Sequence, residues 1–271
     1  MKIPLEDLFV DIIGKAQRGL GLDDASLAQR ARLEPAQIDG LKAGSGDRSQ
    51  IVSLGAALDL APGALVESFE NSWEPAEITL EGLAQFNTDL LGMTVNVYLV
   101  WDPSTREAAI FDAGVDADKL FKRIRAEKLA VKAVFITHTH QDHVASLVDI
   151  LSQSQVQVFA PDAEPVAGAQ RIREGFKCKL GSLEIEAKLT NGHSAGGTSY
   201  LISGLARPVV IVGDSLFAGS MGGAPNTYDQ ARKNNREKIL SLPAETIICP
   251  GHGPMTTVAD ERVHNPFFAG Q

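Results

Sequence analysis

Apolar residues recur at three- and four-residue spacing through about the first 75 positions, and at alternating or continuous spacing after them. Leu5, Leu8, Phe9, Ile12 and Ile13 fall on one helical face, and Ile51, Leu54 and Leu58 repeat the spacing in a later helix. Between them, DDASLAQRARLEPAQIDGLKAG predicts two short helices joined by a tight turn, with Asp24 or Ser26 capping the first and Pro35 in the first turn of the second. From about Glu77 the pattern becomes that of strands. VNVYLVWD and REAAIFDAG flank the turn-like DPST as a hairpin, and VKAVFITH reads as a buried strand. Val144, Leu147, Val148 and Leu151 predict the inner face of one helix, and VDADKLFKRIRAEK and YDQARKNNREKILSL are further helices. QVQVFAP, FKCKLG, LEIEAKLTNG, TSYLISG, PVVIVGD and TIICP complete a strand-rich α/β pattern, suited to sheets covered by helices on their outer faces.

Composition narrows the class. The chain has 271 residues, 44% of them hydrophobic, enough to bury a sizeable core. No apolar run approaches the roughly 20 residues that span a bilayer. Glu6, Asp7 and Asp11 interrupt the N-terminus where a signal peptide would be apolar, so a cytoplasmic address is expected. Cys178 and Cys249 are too few and too far apart for a disulfide framework or a thiolate zinc site, and both are expected to be free and buried. The net charge of −9 opposes a broad nucleic-acid or anionic-membrane surface.

Against this background ITHTHQDHVAS, residues 136–146, concentrates three of the six histidines and an aspartate between a buried strand and a helix that begins near Asp142. Loops at strand ends are fixed at their base by the sheet, and neutral imidazole and carboxylate are ligands for zinc, iron or manganese. His138 and His140 are placed to serve one ion, Asp142 and His143 another. Closing two coordination spheres needs further ligands, and three candidates stand at glycine-flanked strand ends: His193 in NGHSAGG, Asp214 in VVIVGDS and His252 in PGHGP. Singly, each has an ordinary alternative, a helix cap for the aspartate and a solvated turn for either histidine.

Taken together, His-x-His-x-Asp-His at 138–143, Gly-His-Ser at 192–194, Gly-Asp-Ser at 213–215 and Pro-Gly-His-Gly at 250–253 resemble the metallo-β-lactamase superfamily, over about residues 77–271. Within it the likeness is to glyoxalase II-type hydrolases of the short bacterial kind, which often end in a stretch like ERVHNPFF. The resemblance implies an αββα sandwich with two divalent metal ions, zinc first and iron or manganese as alternatives, at one edge between the sheets. It assigns His138, His140 and His193 to one metal, Asp142, His143 and His252 to the other, and Asp214 as the bridge. Asp112, in IFDAG, would orient a ligand by hydrogen bonding, or simply fix the Ala113–Gly114 turn. The expected reaction is hydrolysis of a thioester or related activated acyl substrate, as in hydroxyacylglutathione hydrolases, by hydroxide generated between the metals. Asp214 and Asp142 are the catalytic carboxylates, Asp142 orienting the hydroxide or relaying its proton. His264 is read as structural, and Tyr98 and Tyr200 as core residues.

The helical part, residues 1–76, resembles small phage-repressor helix-turn-helix domains at LAQRARLEPAQIDGLKAG, with Leu27, Ala28, Ile38 and Leu41 as core positions. In that family the second helix, here about Pro35 to Ala43, enters the major groove. Seven lysines and arginines against twelve acidic residues over positions 1–75, a balance of −5, argue against a DNA reader. Packing, dimerisation or substrate shielding is the expected role. Two departures bear on substrate: SMGGAPNTYD at 220–229 lacks the arginine common in glyoxalase II-like and persulfide dioxygenase relatives, and Phe217 stands where lactonases tend to have tyrosine. The alternatives are a mononuclear iron persulfide dioxygenase using His138, His193 and Asp214, and a DNA-binding regulator with a ligand-sensing metal domain.

Overall fold

Two six-stranded sheets face each other, and the alternation along their strands decides which face lies inside. The computed structural model describes residues 2–90, 92–154 and 156–270. The first sheet runs in the order β1 (Leu83–Leu90), β2 (Met93–Trp101), β3 (Glu107–Phe111), β4 (Ala130–Phe135), β5 (Gln157–Pro161), β6 (Gln170–Ile172). The second runs β12 (Thr256–Thr257), β11 (Ile247–Pro250), β10 (Val209–Gly213), β9 (Thr198–Ser203), β8 (Leu183–Leu189), β7 (Lys177–Leu180). β2 and β3 form the expected antiparallel hairpin, with Tyr98 opposite Phe111. Parallel pairing joins β3 to β4, β4 to β5 and β10 to β11, so the carboxyl ends of these strands open on one edge.

Tyr98 and Val100 point into the sandwich with Phe111, Phe135, Tyr200, Ile202, Val209, Ile211 and Cys249. Their neighbours Val97, Leu99 and Trp101 point outward beneath α6 (Asp118–Ala126) and α8 (Leu147–Gln153), meeting Leu120, Leu147 and Ile150. This is the αββα architecture, preceded by five helices: α1 (Phe9–Gly19), α2 (Asp24–Ala31), α3 (Pro35–Lys42), α4 (Arg48–Ala57) and α5 (Pro62–Glu70). Val210, Val212 and Ile248, on the outer face of the second sheet, belong to the same buried cluster as Phe9, Ile12 and Ile13 of α1 and Leu54 of α4. Tyr228 and Ala231 of α9 (Tyr228–Asn234) and Val258 of α10 (Val258–His264) complete it.

Several sequence expectations need correction. α1 starts only at Phe9, because the chain before it is extended, so Leu8 stays 61% exposed rather than on the buried face. Asp23, not Asp24 or Ser26, caps α2 by accepting from the Ser26 N–H. The helix expected over Val144–Leu151 is broken into α7 (Gln141–Val144) and α8, with the Ser146 N–H turned to the Gly114 carbonyl. The break shifts the phase, and Val148 faces solvent at 77% exposure while Ile150 is buried. YDQARKNNREKILSL forms α9 and then a π-helical turn over Asn235–Ile239. Both cysteines are free, but only Cys249 is buried; Cys178 is half-buried. Among the described residues no helix is long and apolar enough to cross a membrane. His264 stacks on Trp73 at 4.7 Å and bonds Glu67 through Nδ1, and belongs to neither of the donor groups that the other five histidines form.

Candidate metal centre

Each polar residue singled out at a strand end is carried to the same edge of the sandwich. β4 runs through Ile136 and Thr137 into His138, His140 and the short α7 with Asp142 and His143; β3 ends at Asp112; the loops after β8, β10 and β11 bring His193, Asp214 and His252. Burial of the flanking strands, Phe135, Ile211 and Cys249 among them, holds the loop bases fixed.

Two donor groups result: His138, His140, His193 and Asp214, and Asp142, His143 and His252. In the first, His138 Nε2 and His193 Nε2 lie 3.0 and 3.1 Å from His140 Nδ1, and Asp214 Oδ2 lies 3.8 and 3.4 Å from the same two Nε2 atoms. In the second, Asp142 Oδ2 is 3.3 Å from His252 Nε2 and 3.7 Å from His143 Nε2. Asp214 stands between the groups, with Oδ1 3.3 Å from His143 Nε2 and Oδ2 3.4 Å from His252 Nε2. A tetrahedral ion with bonds of about 2.0–2.1 Å sets its ligand atoms about 3.3–3.4 Å apart, close to these spacings. Two buried atoms at the centre, His143 Nε2 and Asp214 Oδ1, have no hydrogen-bond partner. Such orphaned atoms are costly, and a cation bound between them would satisfy both. The His/Asp cluster is therefore suited to binding metal ions.

The remaining ring nitrogens settle the tautomers. His143 Nδ1 lies 2.8 Å from Asp112 Oδ2, His193 Nδ1 3.0 Å from the Gly223 carbonyl and His252 Nδ1 2.5 Å from the Thr94 carbonyl. These partners only accept, so each Nδ1 carries a proton and each Nε2 faces the centre. Thr137 donates its N–H and Oγ1–H to Asp112 at 2.7 and 2.8 Å, leaving its hydroxyl oxygen to accept from His138 Nδ1 at 3.1 Å. One carboxylate thereby fixes two imidazoles. Asp112 sits at φ 57°, a left-handed conformation that aspartate tolerates better than most residues.

Charge at the centre is uneven. Burial opposes protonation of His143, but Asp214 and Asp112 outweigh it and hold its pKa up at about 10. His252, likewise buried, is raised to about 11 by Asp142 and Asp214. Burial, with His143 beside it, drives His138 down to about 2, and burial lowers His193. The Asp214 carboxyl is held well below its usual range by His143 and His252 despite its burial. The carboxylates thus draw positive charge into a buried space, which protons supply at His143 and His252 without metal and divalent cations can supply with it.

The sequence pattern did not reveal several supports. Glu164 accepts from the Thr139 N–H and the Gly196 N–H, both at 2.8 Å, tying the His138–His140 loop to the His193 loop. Asn96 donates to the carbonyls of Pro250 and Gly253 and Tyr98 to that of Pro250, so β2 fixes the turn around His252. Tyr98 and Tyr200 are core residues whose hydroxyls reach the site loops, Tyr200 bonding the Ile136 carbonyl at 2.6 Å. At Gly251 an added Cβ would lie 2.1 Å from Asp214 Oδ1 and 2.7 Å from His143 Cε1. Only glycine lets that turn approach the ligands so closely.

Comparison with known proteins agrees with this geometry. The family pattern described as the metallo-beta-lactamase superfamily matches residues 90–252. A hydroxyacylglutathione hydrolase, GloC, of Haemophilus influenzae is 28% identical over 210 residues, covering 67% of this chain and 98% of that protein. The crystal structure of ETHE1 from Myxococcus xanthus superposes with a TM-score of 0.61 at 26% identity, covering 69% of this chain and 85% of that one. TTHA1623, crystallised in a di-iron-bound form, superposes with a TM-score of 0.54 at 26% identity, covering 68% of this chain and all of that one.

Proposed function

The chain belongs to the metallo-β-lactamase superfamily, a group of metal-dependent hydrolases and related metalloenzymes, and from that premise we propose that it hydrolyses thioesters or related activated acyl substrates. In this reading His138, His140 and His193 hold one divalent ion, Asp142, His143 and His252 a second, and Asp214 serves both. Zinc is the first choice, with iron or manganese as alternatives, since such ligands accept all three. The supporting observation is the position of Asp214 between two donor groups, with its Oδ1 and His143 Nε2 left without other partners. The likeness to the hydroxyacylglutathione hydrolase of Haemophilus influenzae favours an acyl thioester.

Bound there, divalent ions supply Lewis acidity and a nucleophile from water at neutral pH. The chain's own residues orient and hold protons. Asp112 and the Gly223 and Thr94 carbonyls hold the Nδ1–H groups of His143, His193 and His252, so that their Nε2 atoms are aimed inward. Asp142, half-buried at the mouth, has its carboxyl lowered to about 2, chiefly by the hydrogen bond with His252, against the effect of burial. It is ionised at neutral pH and able to orient a water at the site by accepting its hydrogen bond. A thiolate leaving group, with an ordinary thiol pKa of about 8.5, departs without a strong acid. Catalysis is assigned to residues 77–271, in the cytoplasm, and a packing role to residues 1–76. Lys2, Lys15, Arg30, Lys42 and Arg48 each pair with an acid of the same helical segment, which disfavours phosphate binding.

Elemental analysis of the native protein, together with an activity panel of thioesters, lactones and phosphodiesters, tests the reading. About two ions per chain and thioester cleavage are expected; no cleavage of any ester by fully loaded protein rejects it. The likeness to ETHE1 supports a second reading, a mononuclear iron dioxygenase built on His138, His193 and Asp214. One iron per chain and oxygen uptake with a persulfide would select it.

A further inference from the structure

The extended N-terminal residues 2–8 are not a loose leader: they cross the turn that carries His252. A Cβ added to Gly253 would lie 3.2 Å from the Glu6 N–H nitrogen and 3.6 Å from the Pro4 carbonyl oxygen. The next residue, Asp7, buries its carboxylate against the loop that follows Asp214. Asp7 Oδ2 accepts from Ser220 Oγ at 2.6 Å and pairs with Lys15 of α1. Lys15 Nζ in turn donates to the Met221 carbonyl at 3.0 Å and lies 4.9 Å from the centre of the Phe217 ring, whose edge-on neighbour at 5.7 Å is His252. Two N-terminal side chains therefore grip residues 217–221 at three points.

The far end of that loop touches the ligands. Gly223 supplies the carbonyl that accepts from His193 Nδ1. At Gly222 an added Cβ would fall 1.8 Å from the Asp214 carbonyl oxygen and 3.0 Å from His193 Nδ1. Any slack in the loop would therefore turn the His193 ring or displace Asp214. A nearly buried Asp–Lys pair is a poor source of stability, since desolvation offsets most of its attraction, but it gives direction where apolar packing gives none. The grip described above comes from residues 7 and 15, which lie before the first strand of the sandwich.

We propose that Asp7 is a positioning residue of the metal centre: with Lys15 it locks the 217–223 loop, which aims His193 at its ion, so that the N-terminal segment is a working part of the site. The inference rests on the metal-centre reading but not on the identity of the substrate. It is tested in the full chain by chelator competition with zinc and by the visible spectrum of the cobalt-substituted protein. Asp7→Ala combined with Lys15→Met, which leaves no unpaired charge, is expected to weaken the ion held by His193 by about tenfold and to shift the cobalt bands. Asp7→Asn combined with Lys15→Met also leaves no unpaired charge but keeps an acceptor for Ser220, and is expected to restore most of the affinity. Arg30→Ala, which opens an exposed ion pair on the same helical segment, is expected to change neither readout. Wild-type affinity and spectrum in the double variant, or an equal loss in Arg30→Ala, would overturn the proposal. Should the double variant fail to fold, Ser220→Ala removes one hydroxyl of the lock and is expected to cost about fivefold; no change there overturns it as well. Wild-type protein that binds metal but cleaves no thioester would sink only the hydrolase reading. Protein that takes up no metal would sink both.

Discussion

Asp112 Oδ2 lies 2.8 Å from His143 Nδ1, both residues almost wholly enclosed, and the same oxygen accepts from Thr137 Oγ1. Asparagine tolerates the left-handed backbone at this position but would turn its amide donor toward either the Thr137 N–H or the His143 N–H. Asp112→Asn is therefore expected to leave the fold intact and lower metal affinity by about 10- to 100-fold. Chelator competition alongside thermal melting separates the two effects.

His193 and His252 belong to different donor groups. Alanine at either is expected to reduce bound metal from about two ions to about one, read by elemental analysis. Thioester turnover is expected to fall at least about 100-fold in both, because a misplaced reacting centre loses that much rate. Under the dioxygenase reading, only His193→Ala abolishes oxygen uptake. Equal metal content in wild type and both variants would contradict the two-group assignment.

Gly251→Ala tests the closest approach of backbone to ligand. Its Cβ would overlap Asp214 Oδ1, so turnover is expected to drop by about 100-fold. Retention of far-UV circular dichroism would show that the damage is local.

Glu261, which holds the Gly219 N–H of the 217–223 loop, offers a pH test of stability. Burial raises its carboxyl from 4.5 to about 7, against hydrogen bonds from Asn265, Thr256 and the Gly219 N–H. The folded protein holds a proton that the unfolded chain releases, so this contribution to stability is complete below about pH 4.5 and lost as pH rises through about 7. The span corresponds to about 3 kcal/mol. Urea midpoints measured across that window are expected to fall less steeply in Glu261→Gln; identical slopes would refute the assignment.

The αββα fold was legible in the chain because strand alternation survives in sequence: Val97, Leu99 and Trp101 against Tyr98 and Val100 need no distant information. The meeting of His138, His140, Asp142, His143, His193, Asp214 and His252 was legible for a related reason, since each directly follows an apolar strand or opens a glycine-rich turn. Their supports were not. Gly223 and Thr94 act through carbonyls, which every residue has, and Glu164 and Asn96 act across loops with no fixed sequence spacing. Leu8 and Val148 misled because helical period was carried across an extended segment and across the break at Ser146. The Asp7–Ser220 contact joins residues 213 positions apart, beyond any local pattern.

The buried cluster that runs from Phe9 and Leu54 to Val212 and Ile248 bears on how the molecule comes apart. Apolar surface common to the leading helices and the second sheet cannot be exposed on one side alone, so heating is expected to produce a single calorimetric peak with matching van't Hoff and measured enthalpies. For anyone trimming the gene, the leading helices would then be poor material for deletion: chains begun at the sandwich would show sticky, aggregation-prone patches instead of a tidy smaller enzyme.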